Sequence, residues 1–342
     1  MVRKASRRKG PPPELSEEEA ERVARALRPE RRELLRYIGQ RQYLECIEVA
    51  WILGVHQSNA YRALQDLKEL GLVAEVPQRW DWQRGETRKP HAWYLGRNGA
   101  KAFARLWPKT KLRWDARTTG HHTRIPHTVR VNEIWARALQ EAADPGNVLA
   151  GAGWLDEWDV SFRMRSGGWF RPDAYLLLRF AQEARSCGRP YQGEVPFFRE
   201  KGPVGWSWNR ERPTFDGWRA DRAFFVEADT GTEDLLQVVK KALVYREAAA
   251  ALRDAPCPVP AFGSVLIITK ELAQAQAFVR GPWRGDHGEE HSGWSAFEDS
   301  GGWWVAATTW ADLEQEGLLG SIWWTRQRSE PSDILALTQL RP

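Results

Sequence analysis

Three carboxylates stand at the ends of apolar runs, where a charge is costly unless it is paired or metal-bound. Pro172-Asp173 directly precedes Ala-Tyr-Leu-Leu-Leu, and Glu227 and Asp229 close the run Ala-Phe-Phe-Val that begins at Ala223. Both runs have the signature of buried strands. Glu227 and Asp229 lie two apart, so strand alternation puts both on one face. With the two strands as neighbours, three acids converge at one end of a sheet. Such an oxygen-only cluster suits Mg²⁺ or Mn²⁺. In the helix that follows, Gln237, Lys241 and Tyr245 are spaced four apart and form a polar stripe among Leu, Val and Ala. That stripe can aim Lys241 at the acids, where it would stabilise negative charge or lower the pKa of a water. A divalent ion held there would polarise a bound water and neutralise nearby negative charge. A purely structural account stays open: Asp229 and Thr230 capping the helix, and Glu227 pairing with an arginine.

A second constellation is His121-His122 with His127 in HHTRIPH. Two histidines alternating on a strand would suit a metal-assisted tyrosine relaxase, but Pro126 and the polar context indicate a loop running into a helix. Beside Arg124 and Arg130 the cluster reads as a basic surface, solvated or phosphate-facing, with His127 a candidate general acid or phosphate contact. No GxxxxGK[ST] loop occurs, which argues against NTP hydrolysis. Cys46, Cys187 and Cys257 are scattered without CxxC spacing, which excludes a cysteine zinc site and a disulfide framework and indicates a reducing, cytoplasmic setting. No apolar run reaches the roughly 18–20 residues of a membrane span, and no signal peptide is expected.

The third group of candidate residues lies in the N-terminal third, where the pattern suits DNA recognition or, as the structural alternative, protein contact alone. Leu34, Leu35 and Ile38 mark one helix, and Ile47, Val49, Ala50 and Ile52 a second that ends at Gly54. A third runs through Ala60, Leu64, Leu67 and Leu70 to Gly71. The helices either side of Gly54 make a helix-turn-helix pattern. Leu72–Val76 and His91–Leu95 read as two strands around a basic loop, followed by a final helix beginning after Asn98-Gly99. This stretch resembles winged helix-turn-helix domains. In that geometry the third helix enters the major groove, and His56, Gln57, Ser58, Asn59 and Arg62 face base edges. Arg79, Arg84, Arg88 and Lys89 on the wing grip phosphate or the minor groove.

Charge is distributed to match. The chain carries a net charge of +5, and the first nine residues hold Arg3, Lys4, Arg7, Arg8 and Lys9 with no acid. Between Lys101 and Arg130, eight Lys or Arg face one acid, Asp115. Clustered cations of this kind suit a phosphate backbone, or a solubilising tail and a solvated linker. The 20 tryptophans follow no fixed period, so no solenoid or propeller is implied.

Beyond residue 125 strands and helices alternate, which predicts an α/β sheet with helices on its faces. A helix starts at Pro126 and is ended by Asp144-Pro145-Gly146. Trp154–Arg163 reads as one strand, Val265–Lys270 as a third buried strand and Gly302–Trp310 as a fourth. Residues 184–221, rich in Gly, Pro and Arg, read as a long excursion. The expected fold is mixed α/β, divided into a basic tail and leader (1–27), a winged helix domain (28–107), a basic linker (108–124), a second domain (125–330) and a C-terminal tail (331–342).

The pattern Asp173, Glu227-x-Asp229 and Lys241 resembles the PD-(D/E)XK nuclease superfamily, in which Pro-Asp and Glu-x-Lys on adjacent strands bind metal. The departure is Asp229, which stands where the lysine is usual; Lys241 on the helix could replace it. From about residue 28 to 325 the chain resembles the replication-relaxation proteins of plasmids, phages and integrative elements. The likeness rests on the winged helix, His127 and Asn132 in HTVRVNEIW, RPDAYLLL, FFVEADTGTEDLLQVVKKALVY and the closing VLIITK, WWVAATTWADL and GLLGSIWW. The resemblance implies a DNA-linked role in replication, relaxation or mobilisation, with double-stranded DNA and other replication proteins as partners, and a homodimer as the assembly to test. A nuclease-like domain that cuts and a degenerate one serving an accessory factor or regulator both fit it.

Overall fold

The computed structural model of the chain describes residues 12–76, 92–108, 110, 112, 125–144, 146–164, 166–180, 222–229, 235–252, 264–281, 283–284, 290–291, 294 and 304–334. It is a mixed α/β protein. Contacts divide it into two compact units, Met1–Asn132 and Glu133–Pro342. Among the described residues no helix is long and apolar enough to cross a membrane.

The first unit opens with α1 (Glu17–Arg25), started by a reciprocal capping box between Ser16 and Glu19. The stretch read as a leader is built into this unit. Ala20 and Ala24 are fully buried, and α1 packs on α5 (Arg97–Leu106). The Asn98 side chain accepts from the Leu15 N–H and donates to the Pro13 carbonyl, both at 3.0 Å. α2 (Pro29–Arg41) buries Leu34, Leu35 and Ile38, as their spacing predicts. β1 (Leu44–Glu45), α3 (Cys46–Leu53) and α4 (Gln57–Glu69) follow. Gly54 ends α3 in the left-handed conformation, φ 61°, which glycine adopts without steric cost.

β2 (Val73–Glu75) and β3 (Ala92–Leu95) complete a three-stranded antiparallel sheet in the order β1-β3-β2. β1 is a strand the sequence does not announce. α5 starts at Arg97, so Asn98 and Gly99, expected to precede the helix, lie in its first turn. Gly99 lies inside the helix, where a Cβ would come within 1.9 Å of the Leu72 carbonyl oxygen. α6 (Ile125–Ala143) ends at the expected place, and the division between the units falls inside it. Its Ile125 and Val129 pack with Tyr43, Val76 and Ala92.

The second unit is built on a six-stranded sheet of β4 (Leu149–Asp156), β7 (Ala174–Phe180), β8 (Arg222–Ala228), β9 (Ser264–Thr269), β12 (Val305–Thr309) and β13 (Trp324–Thr325), in the order β13-β12-β9-β8-β7-β4. β10 (Trp283–Arg284) and β11 (Glu290–His291) form a separate antiparallel pair. β7 pairs antiparallel with both of its neighbours, β4 and β8. β8, β9 and β12 run parallel, and β13 closes the edge antiparallel to β12. Tyr175, Leu177, Phe225, Val265, Ile267, Val305 and Ala307 form one row-matched face. They share a core with Ala242, Tyr245 and Ala248 of α8 (Leu235–Leu252) and Ala275, Phe278 and Val279 of α9 (Leu272–Arg280).

The single strand expected over Trp154–Arg163 is interrupted. The β4 ladder runs out where its partner begins, at Asp156 opposite Ala174; the preceding Pro172 has no N–H to extend it. The chain then makes one helical turn, α7 (Glu157–Val160), which is closed by the Ser161 N–H on the Glu157 carbonyl at 2.9 Å. It continues as a hairpin of β5 (Phe162–Arg163) and β6 (Trp169–Phe170). At the other end, residues assigned to a tail are held in place. Ser332 exchanges backbone hydrogen bonds with Trp323 at 2.9 and 3.0 Å, and Ile334 is fully buried.

Candidate functional site

β7 and β8 pair with Ala174 opposite Val226, so the next rung sets Asp173 beside Glu227. Asp173 Oδ2 accepts the Ala228 N–H at 2.8 Å, which fixes the carboxylate across the two strand ends. Glu227 continues the row that includes Ile267 and Ala307, the face covered by α8 and α9. Its side chain therefore points into a core, and the residue is only 4% exposed. A buried carboxylate must find hydrogen bonds. Two come from α8, one turn apart: Lys241 Nζ donates to Oε2 and Tyr245 O–H donates to Oε1, each at 2.7 Å.

Burial pushes the Glu227 carboxyl up to about 7, and the negative charge of Asp173 adds to the shift. The Lys241 charge and the hydrogen bonds from Lys241 and Tyr245 oppose it. A group poised there can accept or release a proton at neutral pH. Tyr245 is held by its ring, which lies 4.8 Å from Phe170, 5.7 Å from Phe225 and 5.0 Å from Trp294 between centroids. The direction of its hydroxyl is therefore set by packing.

Asp229 is buried on the same side of the sheet, and its carboxylate is bonded from a different helix. Its Oδ2 accepts from Gln274 Nε2 of α9 at 2.5 Å, its N–H donates to the Ile268 carbonyl at 2.8 Å, and its carbonyl accepts from Trp310 Nε1 at 3.0 Å. Among the described residues, no group of three or more His, Cys, Asp or Glu side chains could hold a metal ion. The arrangement brings together Asp173, Glu227 and Lys241, adds Tyr245, and turns Asp229 toward Gln274. Residues 230–234 and the side chain of Gln237 lie outside the described residues. Gln274 is one of two glutamines on α9, with Gln276, and nothing in the sequence singles it out. The same holds for Trp310, one of 20 tryptophans.

In the first unit, Gln57, Ser58, Asn59 and Arg62 are exposed along the first turns of α4. His56 is the helix N-cap: its Nδ1 accepts the Ser58 N–H at 3.3 Å and lies 2.9 Å from Ser58 Oγ. Two of the expected base readers thus bond each other. Tyr61, which no sequence motif singles out, stands on the same helix, 46% exposed, with its ring edge-on to Trp93 at 6.2 Å. Arg79, Arg84, Arg88, Lys89, His121 and His122 lie outside the described residues. His127 is half-buried on α6 and belongs to the first unit, whereas Asp173, Glu227, Asp229 and Lys241 all belong to the second.

The replication-relaxation family profile matches residues 35–258. The match spans α4 of the first unit and Asp173, Glu227, Asp229, Lys241 and Tyr245 of the second. No significant match is found among curated proteins or solved structures.

Proposed function

The chain belongs to the replication-relaxation family, and from that premise we propose that it is a DNA-binding protein of a mobile genetic element whose second unit nicks or cleaves DNA. Its first unit acts as a winged helix-turn-helix, with α4 as the helix that enters the major groove and Gln57, Asn59 and Arg62 as readers. The second unit acts as a PD-(D/E)XK nuclease-like domain. Its partners are double-stranded DNA and the replication or mobilisation proteins of the same element.

The observation that carries the nuclease reading is Lys241 reaching Glu227 from the helix while Asp173 stands on the neighbouring strand. This supplies the Asp, Glu and Lys of the motif, although Asp229 occupies the usual lysine position. The donor set fits a divalent ion through two carboxylates, the number Mg²⁺ usually takes from protein. The mutual charge repulsion of Asp173 and Glu227 is what such an ion would relieve. When bound, Mg²⁺ or Mn²⁺ supplies a polarised water and neutralises phosphate charge. Asp173 and Glu227 would hold the ion, Lys241 would stabilise negative charge at the phosphate, and Tyr245 would keep Glu227 oriented. Asp229, bonded to Gln274, would brace the strand end beside them.

A second reading, a non-cleaving accessory factor or regulator, is favoured by one observation: both Glu227 oxygens already have protein donors. Nicking of supercoiled plasmid with Mg²⁺ or Mn²⁺ separates the two. The nuclease reading expects nicking by the wild type that Asp173→Ala and Glu227→Ala abolish, while all three proteins bind duplex DNA equally. Tight duplex binding without nicking by the wild type would overturn it in favour of the accessory role.

A further inference from the structure

The hairpin β5–β6 leads directly into Pro172-Asp173, and its two faces differ. Phe162 pairs with Phe170, and Arg163 with Trp169. Side chains alternate along each strand, so the phenylalanines share one face and Arg163 and Trp169 the other. The phenylalanine face is anchored. The two rings lie 5.0 Å apart, and Phe170 is fully buried, 5.1 Å from Phe225 and 4.8 Å from Tyr245. Tyr245 is the residue that holds Glu227.

The opposite face meets water. Trp169 is 51% exposed, and the Arg171 guanidinium lies over its ring at 5.0 Å. Arg163 and Arg171 are exposed too. The turn is held by two backbone hydrogen bonds between Met164 and the glycines, from Met164 N–H to Gly168 O at 2.8 Å and from Gly167 N–H to Met164 O at 3.0 Å. The tryptophan is thereby presented on a fixed strand pair.

We propose that this face is a stacking platform for an unpaired base of a nucleic-acid strand approaching the Asp173–Glu227 site. An exposed tryptophan is costly to leave in water, and two cations flanking it match a phosphate backbone in sign. A base in a duplex has both its faces covered by neighbours, whereas a base in a single strand offers one to the indole. Arg171, stacked on Trp169, holds the ring and contributes charge at the same place. This rests on the reading of the second unit as a domain that acts on DNA, and it adds the state of the strand: unpaired at the point of contact.

The test is anisotropy of a fluorescein-labelled oligothymidine and of a labelled duplex, titrated with the wild type and with Trp169→Ala, Trp169→Phe and Arg171→Ala. Loss of one stacked base corresponds to about a tenfold weakening. Trp169→Ala is expected to weaken oligothymidine binding by about that factor, with duplex binding changed less than about twofold. Trp169→Phe should retain most of the affinity, and Arg171→Ala should weaken it and flatten its salt dependence. The proposal is overturned by a wild type that does not bind oligothymidine, by binding that Trp169→Ala leaves intact, or by equal losses on duplex and single strand. Plasmid nicking together with any of these results would sink the platform and keep the nuclease. Tryptophan-dependent binding without nicking would do the reverse.

Discussion

At the scale of single residues, Glu227 governs the site because its charge is expensive where it stands. The folded carboxyl titrates near 7, with burial the main cause, against an ordinary value of 4.5. The folded state therefore binds the proton more tightly than the unfolded chain. Its contribution to stability is complete below about pH 4.5 and is lost as pH rises through about 7. In EDTA, the wild type should lose melting temperature between pH 5 and 8 relative to Glu227→Gln, which cannot ionise. Parallel curves for the two proteins would show that the carboxyl does not titrate there. Tyr245→Phe keeps the ring and removes one donor to the carboxylate, so the fall should move to higher pH, with a loss of about 1–3 kcal/mol for the orphaned oxygen. A midpoint unmoved in thermal melts across pH would refute the hydrogen bond. Glu227 was legible because an acid ending Phe-Phe-Val has few bland explanations, and Tyr245 because it repeats Lys241 one turn on. The Asp229 partner was not legible: Gln274 lies 45 positions away, and nothing local to either residue joins them.

At the scale of elements, the long periodic segments were readable and the short ones were not. Helices α2, α3, α4 and α6 and strands β7, β8, β9 and β12 each carry enough apolar repeats to declare a period. β1 has two residues and exists because β3 pairs with it. α7 exists because the β4 ladder has no further partner. A clearer case is the turn between α2 and β1. Gln42 sits at φ 67°, ψ −52°, with the Tyr43 N–H donating to the Arg41 carbonyl at 2.8 Å. This is the rare, strained form of the γ-turn. The amide of Asn132, on α6, donates to both flanking carbonyls, at 2.9 Å to Arg41 and 2.7 Å to Tyr43. Asn132, noticed in the sequence only within the resemblance, is thus a clamp on a strained turn. Asn132→Ala should destabilise by about 2–3 kcal/mol through two lost buried hydrogen bonds. Gln42→Gly should be neutral or stabilising by up to about 1 kcal/mol, since glycine takes this φ without a Cβ clash. Chemical denaturation of both variants checks the pair. A stable Asn132→Ala, or a Gln42→Gly that costs as much as Asn132→Ala, would contradict the clamp.

At the scale of the whole chain, charge is what the sequence states most directly and what no single contact expresses. The net charge of +5 equals the five cations of residues 1–9, and a further eight lie between Lys101 and Arg130. A protein that neutralises phosphates releases counterions, and log K falls with log salt by about 0.9 per phosphate engaged. The division into two units was less legible than the charge. It falls inside α6, whose apolar repeat continues unbroken across the point where its partners change. Charge predicts behaviour that does not depend on that boundary. Deleting residues 1–9 removes five cations. On the proposed DNA-binding role, duplex affinity should weaken uniformly across sequences, and its salt slope should shrink by about 1–4 units. Electrophoretic mobility shifts at several salt concentrations, on two unrelated duplexes, measure both quantities. An unchanged slope would mean that these cations touch no phosphate and that α4 and its neighbours carry the binding alone. A loss confined to one of the two duplexes would make the basic segment a reader of sequence instead of a grip on the backbone.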